Sequence, residues 1–169
     1  MEEKIKTDSG FIMPLLKLLV FTVLVPGSVT VWVPNYFYRS QIKWDLVGAN
    51  LHAAIAILSI VLGISGYLWC ALDFAYVGRG TPAPIDPPKI LVARGLYCFV
   101  RNPMYISVTL ILLGESLLFE SRPLLRYAVI VWVGFHLFVI LYEEPTLREK
   151  FGASYEEYCR AVPRWIPRV

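Results

Sequence analysis

The chain has 169 residues, of which 57% are hydrophobic and 17% charged, and a formal net charge of +3. An ordinary soluble domain carries about 25% charged residues, so this composition argues against a soluble protein and favours one compact membrane-embedded unit. No block of basic residues supports nucleic-acid binding. Because the three cysteines lack a Cys-x-x-Cys spacing, they predict neither a disulfide framework nor a metal site.

Four apolar segments are long enough, or nearly long enough, to cross a bilayer, which requires about 20 mostly apolar residues per helix. They are residues 11–33, 46–72, 103–119 and 127–142. Only Lys17 and Glu115 bring charge into these segments. We therefore predict an all-α polytopic membrane protein with about four transmembrane helices.

The last two predicted spans are joined by almost nothing. Glu120, Ser121 and Arg122 separate them, and Pro123 occupies a helix-start position. This spacing predicts a tight antiparallel hairpin. Such a hairpin brings the start of the third span, near Arg101, level with the end of the fourth.

The distribution of basic residues predicts the orientation. With four spans, eleven Lys and Arg residues fall on one side and four on the other, Lys17 aside. Because cytoplasmic loops are enriched in Lys and Arg, both termini and residues 73–102 are expected in the cytoplasm.

Short helices are predicted after the last span. Pro145 suits the first turn of one helix, and Gly152 suits its end. Ser154 and Glu157 have the spacing of a capping box at the start of a second helix, which Pro163 ends. Apolar residues recur at steps of three or four, so we expect an amphipathic pair on the cytoplasmic membrane face.

Four ionisable residues at or near the membrane boundary are candidates for chemistry. Such groups are costly unless they are paired or face an aqueous pocket. The adjacent carboxylates of Glu143 and Glu144 are explained by a pocket that holds a cation. His136 lies two helical turns before Glu143 and is expected on the same face, either as a base in that pocket or as a hydrogen-bonded packing histidine. Arg101 is a catalytic candidate or a headgroup contact.

The second half of the chain carries a set of spaced motifs. They read Leu91-Val92, Gly95, Tyr97, Arg101-Asn102-Pro103, Tyr105, then Glu143-Glu144, Leu147, Phe151-Gly152, Tyr155, Tyr158 and Val162-Pro163. In this order and spacing they resemble the isoprenylcysteine carboxyl methyltransferase and phospholipid methyltransferase group of integral membrane enzymes. The resemblance covers residues 78–167.

This resemblance implies a methyl transfer from S-adenosylmethionine to a lipophilic acceptor at the bilayer: a prenylcysteine-like carboxylate, a thiol or a lipid amine. It also implies that the amphipathic tail roofs the cofactor pocket. The residues implied to contact the cofactor are Lys89, Ile90, Leu91, Val92, Tyr97, Asn102, Pro103, Met104, Tyr105 and Glu143. A thiol or amine acceptor must lose a proton, for which His136 is the first candidate base.

Two positions depart from the family pattern. Asn102 stands where the family usually has His, so that position cannot transfer a proton, although it can still hydrogen-bond. Val139 stands where eukaryotic prenylcysteine enzymes have an Arg one turn before the glutamate pair. The resemblance therefore supports the cofactor more strongly than a carboxylate acceptor.

Two other functions compete with methyl transfer. An NADPH-dependent membrane reductase of the same architecture would use tail arginines, Arg160, Arg164 or Arg168, for a 2′-phosphate. A non-enzymatic scaffold is the other alternative. If the chain is an enzyme, we expect N-terminal membrane helices at residues 1–77 and a cofactor-binding catalytic half at residues 78–169.

Overall fold

A computed structural model describes residues 16–38, 51–78 and 90–167 of the chain. Within these ranges the secondary structure is helical and includes no strand. The beginnings of the first two predicted spans, most of the Gly- and Pro-rich connector and Lys89 lie outside the described residues. The all-α prediction is confirmed.

Six helices carry the described fold. Helix α1 is Leu16–Phe37, α2 is Leu51–Asp73, α3 is Pro103–Leu118 and α4 is Arg122–Phe138. A wider π-helical turn, Val139–Glu143, connects α4 without a break to α5, Glu144–Phe151. Helix α6 is Ala153–Ala161, and a short 3₁₀ turn, Gly95–Cys98, precedes α3.

Three of the described helical stretches are long and apolar enough to cross a membrane. They are Leu16–Phe37, Leu51–Tyr76 and Arg122–Phe151. Helix α3, the third predicted span, is shorter: at 1.5 Å per residue its 16 residues reach ~24 Å, against ~30 Å for a bilayer core. The described residues therefore give three helices of full spanning length and one shorter apolar helix at the four predicted positions.

Helix α3 packs closely on α2 through small residues. A Cβ atom added to Gly63 would lie 2.6 Å from the carbonyl oxygen of Ser107, and one added to Gly114 would lie 2.8 Å from that of Ala56. The Ser59 hydroxyl also donates a hydrogen bond of 2.9 Å to the carbonyl of Leu110. Small residues allow helix backbones to approach closely in apolar surroundings, so this contact holds α3 close against α2.

The predicted hairpin between α3 and α4 is confirmed. The Ser121 hydroxyl accepts a hydrogen bond of 3.4 Å from the backbone N–H of Leu124, and Pro123 lies in the first turn of α4. Glu120 completes the turn in a left-handed conformation, with φ of 47°. The hairpin places the start of α3 and the end of α4 at the same end of the molecule.

The two tail helices are present, but the predicted capping box is wrong. Gly152, with φ of 54°, is both the end of α5 and the N-cap of α6, as its position after Phe151 allows. Helix α6 therefore begins at Ala153, one residue before Ser154. The Ser154 hydroxyl instead donates a hydrogen bond of 2.7 Å to the carbonyl of Phe151.

Candidate functional site

A cavity lies where α3 begins, α4 ends and the tail folds back. Its empty space, including the open mouth, is about 940 Å³. Most of its walls are apolar or aromatic side chains. The lining residues are Phe74, Leu91, Val92, Tyr97, Arg101, Asn102, Met104, Tyr105, Phe138, Val139, Tyr142, Glu143, Glu144, Thr146, Leu147, Tyr155 and Tyr158.

Seven of the ten residues predicted to contact the cofactor line this cavity: Leu91, Val92, Tyr97, Asn102, Met104, Tyr105 and Glu143. Arg101, predicted as catalytic, lines it too. Pro103 is buried at the start of α3 outside the lining, and Ile90 is exposed. Lys89 lies outside the described residues. The structure therefore gathers most of the predicted residues from three separate segments around one space.

Glu143 presents a carboxylate to the cavity. The Tyr105 hydroxyl donates a hydrogen bond of 2.8 Å to Glu143 Oε2, and the Tyr105 ring lies 4.8 Å from that of Phe135. Glu143 is half-buried and stands among aromatic walls. A carboxylate has about four acceptor sites, so one bond to Tyr105 leaves capacity for a ligand. A carboxylate beside aromatic rings is suited to bind a cation.

Glu144 is different, because arginine side chains surround it. Arg101 Nη1 lies 3.0 Å and Arg164 Nε 2.6 Å from Glu144 Oε1, and Arg148 Nη2 lies 3.4 Å from Oε2. Arg164 Nη2 adds a further bond of 3.0 Å. The Glu144 side chain is only 4% exposed. This arginine cluster accounts for Glu144 without any ligand, so only Glu143 remains as a candidate for cation binding.

The tail covers the cavity. Tyr155 and Tyr158 of α6 line it, and the Tyr158 hydroxyl donates a hydrogen bond of 2.8 Å to the carbonyl of Tyr97. Two bonds at the start of α3 hold the chain beyond α6: the Arg101 N–H donates to the Pro163 carbonyl at 2.9 Å, and Asn102 Nδ2 donates to the Arg164 carbonyl at 3.1 Å. Asn102, unlike a titrating side chain, offers this bond at every pH.

Burial keeps two tyrosines protonated where the cavity wall meets the tail. It raises the pKa of Tyr97 well above its usual value, and it raises the pKa of Tyr158 as well, although the Arg101 guanidinium opposes that shift. Both side chains therefore remain neutral phenols across the physiological range. The bond from Tyr158 to Tyr97 persists over that whole range.

His136 does not line the cavity. Its Nδ1 accepts a hydrogen bond of 3.0 Å from Trp165 Nε1, and its ring stacks on that of Trp132 at 5.5 Å. The expectation of a shared face with Glu143 assumed an uninterrupted α-helix. The π-helical turn Val139–Glu143 lies between them and rotates the next part of the helix by about 100°, the angle of one helical residue. The position fits the packing alternative for His136.

Pro145 explains why the helix widens at this point. A proline has no N–H for the carbonyl of the residue four positions earlier, here Leu141, and its ring crowds that carbonyl. The π-helical turn ends two residues before Pro145, and α5 begins with Pro145 in its first turn. The local sequence thus produces the turn that directs Glu143 into the cavity.

The predictions missed three aromatic walls of the cavity: Phe74, Phe138 and Tyr142. Phe138 and Tyr142 are four residues apart in the last apolar span, a spacing that could have placed them together on one face. Phe74 follows the last residue of α2, and no sequence pattern distinguishes it from its apolar neighbours.

Sequence comparisons with known proteins identify the family of the chain. The sequence profile of the phospholipid methyltransferase family matches residues 51–154, more than half of the chain. The chain belongs to this family. Its three helices of membrane-spanning length make it an integral membrane protein. No solved structure gives a significant match.

Curated relatives of two kinds are similar to the chain. Protein-S-isoprenylcysteine O-methyltransferase of Schizosaccharomyces pombe is 33% identical over 47% of this chain and 34% of its own length. Protein-S-isoprenylcysteine O-methyltransferase B of Arabidopsis thaliana is 35% identical over 47% and 40%. The cobalt-zinc-cadmium resistance protein CzcN of Cupriavidus metallidurans is 28% identical over 75% and 55%. The chain thus spans about a third to a half of these relatives.

Proposed function

We propose that this protein is a membrane methyltransferase that uses S-adenosylmethionine and acts on a lipophilic acceptor. The observation that carries the proposal is the Glu143 carboxylate, held by Tyr105 in an aromatic cavity beneath the tail. S-adenosylmethionine brings a sulfonium and an ammonium to such a site. The family match and the names of the isoprenylcysteine relatives support the same reaction class.

Several predicted cofactor residues on the cavity wall have a part in this proposal. Glu143 attracts the ammonium of the donor, which S-adenosylhomocysteine also carries, and the aromatic walls exclude water from the bound donor. Leu91, Val92 and Met104 supply apolar contact surface. When bound, the donor would supply a methyl group activated by its sulfonium, and the cavity residues would contribute mainly the alignment of that group with the acceptor.

Arg101 and His136 acquire revised roles. Arg101 lines the cavity but is engaged with Glu144 and with the Cys159 Sγ at 2.9 Å. We assign it to holding the tail in place, and through the tail the shape of the site. His136 supports the tail from outside the cavity, so its position gives no support to the base role.

The acceptor is proposed by class alone. The isoprenylcysteine relatives suggest a prenylcysteine-like carboxylate, whereas the family profile suggests a phospholipid amine, and a thiol is the third choice. Val139 is buried in the cavity wall where a carboxylate-binding Arg would be expected in eukaryotic prenylcysteine enzymes. A cytoplasmic position for both termini and the site belongs to the same proposal.

One of the arginines proposed for the reductase alternative is already paired with a carboxylate. Arg164, a candidate for binding a 2′-phosphate, makes two hydrogen bonds to Glu144 instead. A phosphate that recruited Arg164 would have to break this cluster and leave a buried carboxylate less well paired.

Calorimetric titration of the detergent-solubilised protein separates the two functions. S-adenosylhomocysteine is expected to bind the wild type and to bind Glu143→Gln much more weakly. Glu157→Gln, an exposed carboxylate change on α6, is the matched control and should bind as the wild type does. Binding of NADPH without S-adenosylhomocysteine would overturn the proposal, as would equal affinity in Glu143→Gln and the wild type.

A further inference from the structure

Asp73, the last residue of α2, is a buried carboxylate outside the cavity lining. Its side chain is 5% exposed, and its Oδ1 lies 3.0 Å from Arg94 Nε. The Arg94 side chain is 60% exposed. Asp73 Oδ2 is buried without a hydrogen bond to any described residue. A buried carboxylate of this kind is costly unless its partner is held in place.

Asp73 also lies directly against the backbone of Gly95, the residue after its ion-pair partner. A Cβ atom added to Gly95 would lie 2.6 Å from Asp73 Oδ2 and 2.9 Å from Trp69 Nε1. Gly95 has φ of 58°, a conformation that side chains disfavour. Two side chains of α2 therefore fill the space that any other residue would need at this position.

The turn that begins at Gly95 carries a wall of the cavity. The Tyr97 N–H donates a hydrogen bond of 3.0 Å to the carbonyl of Arg94, which ties Tyr97 to the ion-paired residue. The Tyr97 ring meets that of Phe74 at 5.6 Å, and its carbonyl accepts the bond from Tyr158. Tyr97 thus joins the end of α2, the turn and the roof.

We propose that Asp73 is a positioning residue that fixes the turn Gly95–Cys98, and thereby Tyr97, against the end of α2. The ion pair from Asp73 Oδ1 to Arg94 holds the residue before the turn, and the close approach of Asp73 Oδ2 to Gly95 holds the first residue of the turn. Together they place Leu91, Val92 and Tyr97 on the cavity wall. The consequence for cofactor affinity rests on the proposed function, whereas the consequence for the turn does not.

Amide hydrogen exchange followed by mass spectrometry tests the turn without any cofactor. Asp73→Asn and Arg94→Gln should each speed exchange at residues 95–100 at least about fivefold, while α3 and α4 exchange as in the wild type. Arg122→Gln, an exposed arginine change at the start of α4, is the control. Wild-type exchange in both variants would overturn the proposal. A general acceleration in Arg94→Gln, whose side chain is largely exposed, would also overturn it, because Asp73 would then support the whole fold.

S-adenosylhomocysteine affinity tests whether the turn positions the site. Each single variant should bind about tenfold more weakly, and the double variant should bind no more weakly than either one, since both changes break the same pair. Losses that multiply in the double variant would overturn the proposal. If the wild type itself fails to bind, the proposed function fails, and the exchange result alone decides whether Asp73 fixes the turn.

Discussion

Glu143 and Glu144 are adjacent in the chain, yet their carboxylates have different partners. Tyr105 donates a hydrogen bond to Glu143, whereas Arg101, Arg148 and Arg164 surround Glu144. One carboxylate is available to the cavity and the other fastens the tail to the membrane helices. The pair therefore divides binding from structure between two neighbouring residues.

This division predicts opposite effects for two isosteric changes. Glu143→Gln should keep the wild-type melting temperature, because the glutamine oxygen can still accept from Tyr105, and should weaken S-adenosylhomocysteine binding at least about tenfold. Glu144→Gln should lower the free energy of unfolding by about 3 kcal/mol, since it leaves the largely buried Arg101 and the partly exposed Arg148 and Arg164 without their anion. Thermal unfolding in detergent and calorimetric titration measure the two quantities.

The two variants control for each other. A large loss of melting temperature in Glu143→Gln would show that this residue is structural. A stable Glu144→Gln protein with lost affinity would exchange the roles of the two glutamates.

Sequence reasoning found the walls of the site but not its supports. The short hairpin was enough to predict that the start of α3 and the end of α4 meet, because short connections leave few arrangements. The family resemblance implied that Tyr97, Tyr105 and Glu143 share the cofactor pocket. Only the family resemblance, which implied a cofactor contact for Glu143 alone, distinguished the two glutamates, and it gave no role to Glu144. Their difference depends on Arg164, which folds back from 20 residues away.

Deviations from regular helix geometry explain the other differences. A helix of 3.6 residues per turn places His136 and Glu143 on one face, and the π-helical turn removes that relationship. Helix α6 begins at Ala153 and so leaves no capping box at Ser154. The π-helical turn lies next to Pro145, and the start of α6 follows Gly152. The sequence indicates that such residues change the course of a helix, but it does not indicate by how much.

The α2–α3 contact should not tolerate a methyl group at Gly63. A Cβ atom there would lie 2.6 Å from the backbone carbonyl oxygen of Ser107, and no side-chain rotation can relieve that clash. Gly63→Ala should therefore lower the melting temperature by several degrees in detergent. Gly134→Ala in α4 is the matched change, since nothing lies within 4 Å of its added Cβ, and it should not destabilise. Equal melting temperatures would contradict the close packing.

The bond between His136 and Trp165 should affect the tail rather than the chemistry. His136→Ala and Trp165→Phe each remove it, so both should lower methyl transfer by a similar factor of a few. The shape of the pH–rate profile should be unchanged in both. Rates measured with labelled S-adenosylmethionine and a lipid extract from about pH 6 to 9 provide the check. If His136→Ala changed the shape of this profile and Trp165→Phe did not, His136 would be the base.

The side chains of Tyr97 and Tyr158 predict that the folded protein loses stability at high pH. In the unfolded chain a tyrosine ionises near pH 10, whereas burial raises the folded pKa of Tyr158 and of Tyr97. Because the pKa is higher in the folded protein, the two phenols contribute their full stability below the pKa of the unfolded chain. This contribution is lost as the pH rises above about 10 toward the folded pKa. Tyr158→Phe removes one of the two groups and the bond to the Tyr97 carbonyl. It should cost about 1 kcal/mol at neutral pH and make the decline above about pH 10 shallower. Unfolding midpoints in denaturant, measured from about pH 7 to 11, give both effects, and equal slopes for the two proteins would show that Tyr158 ionises as freely in the fold as in the unfolded chain.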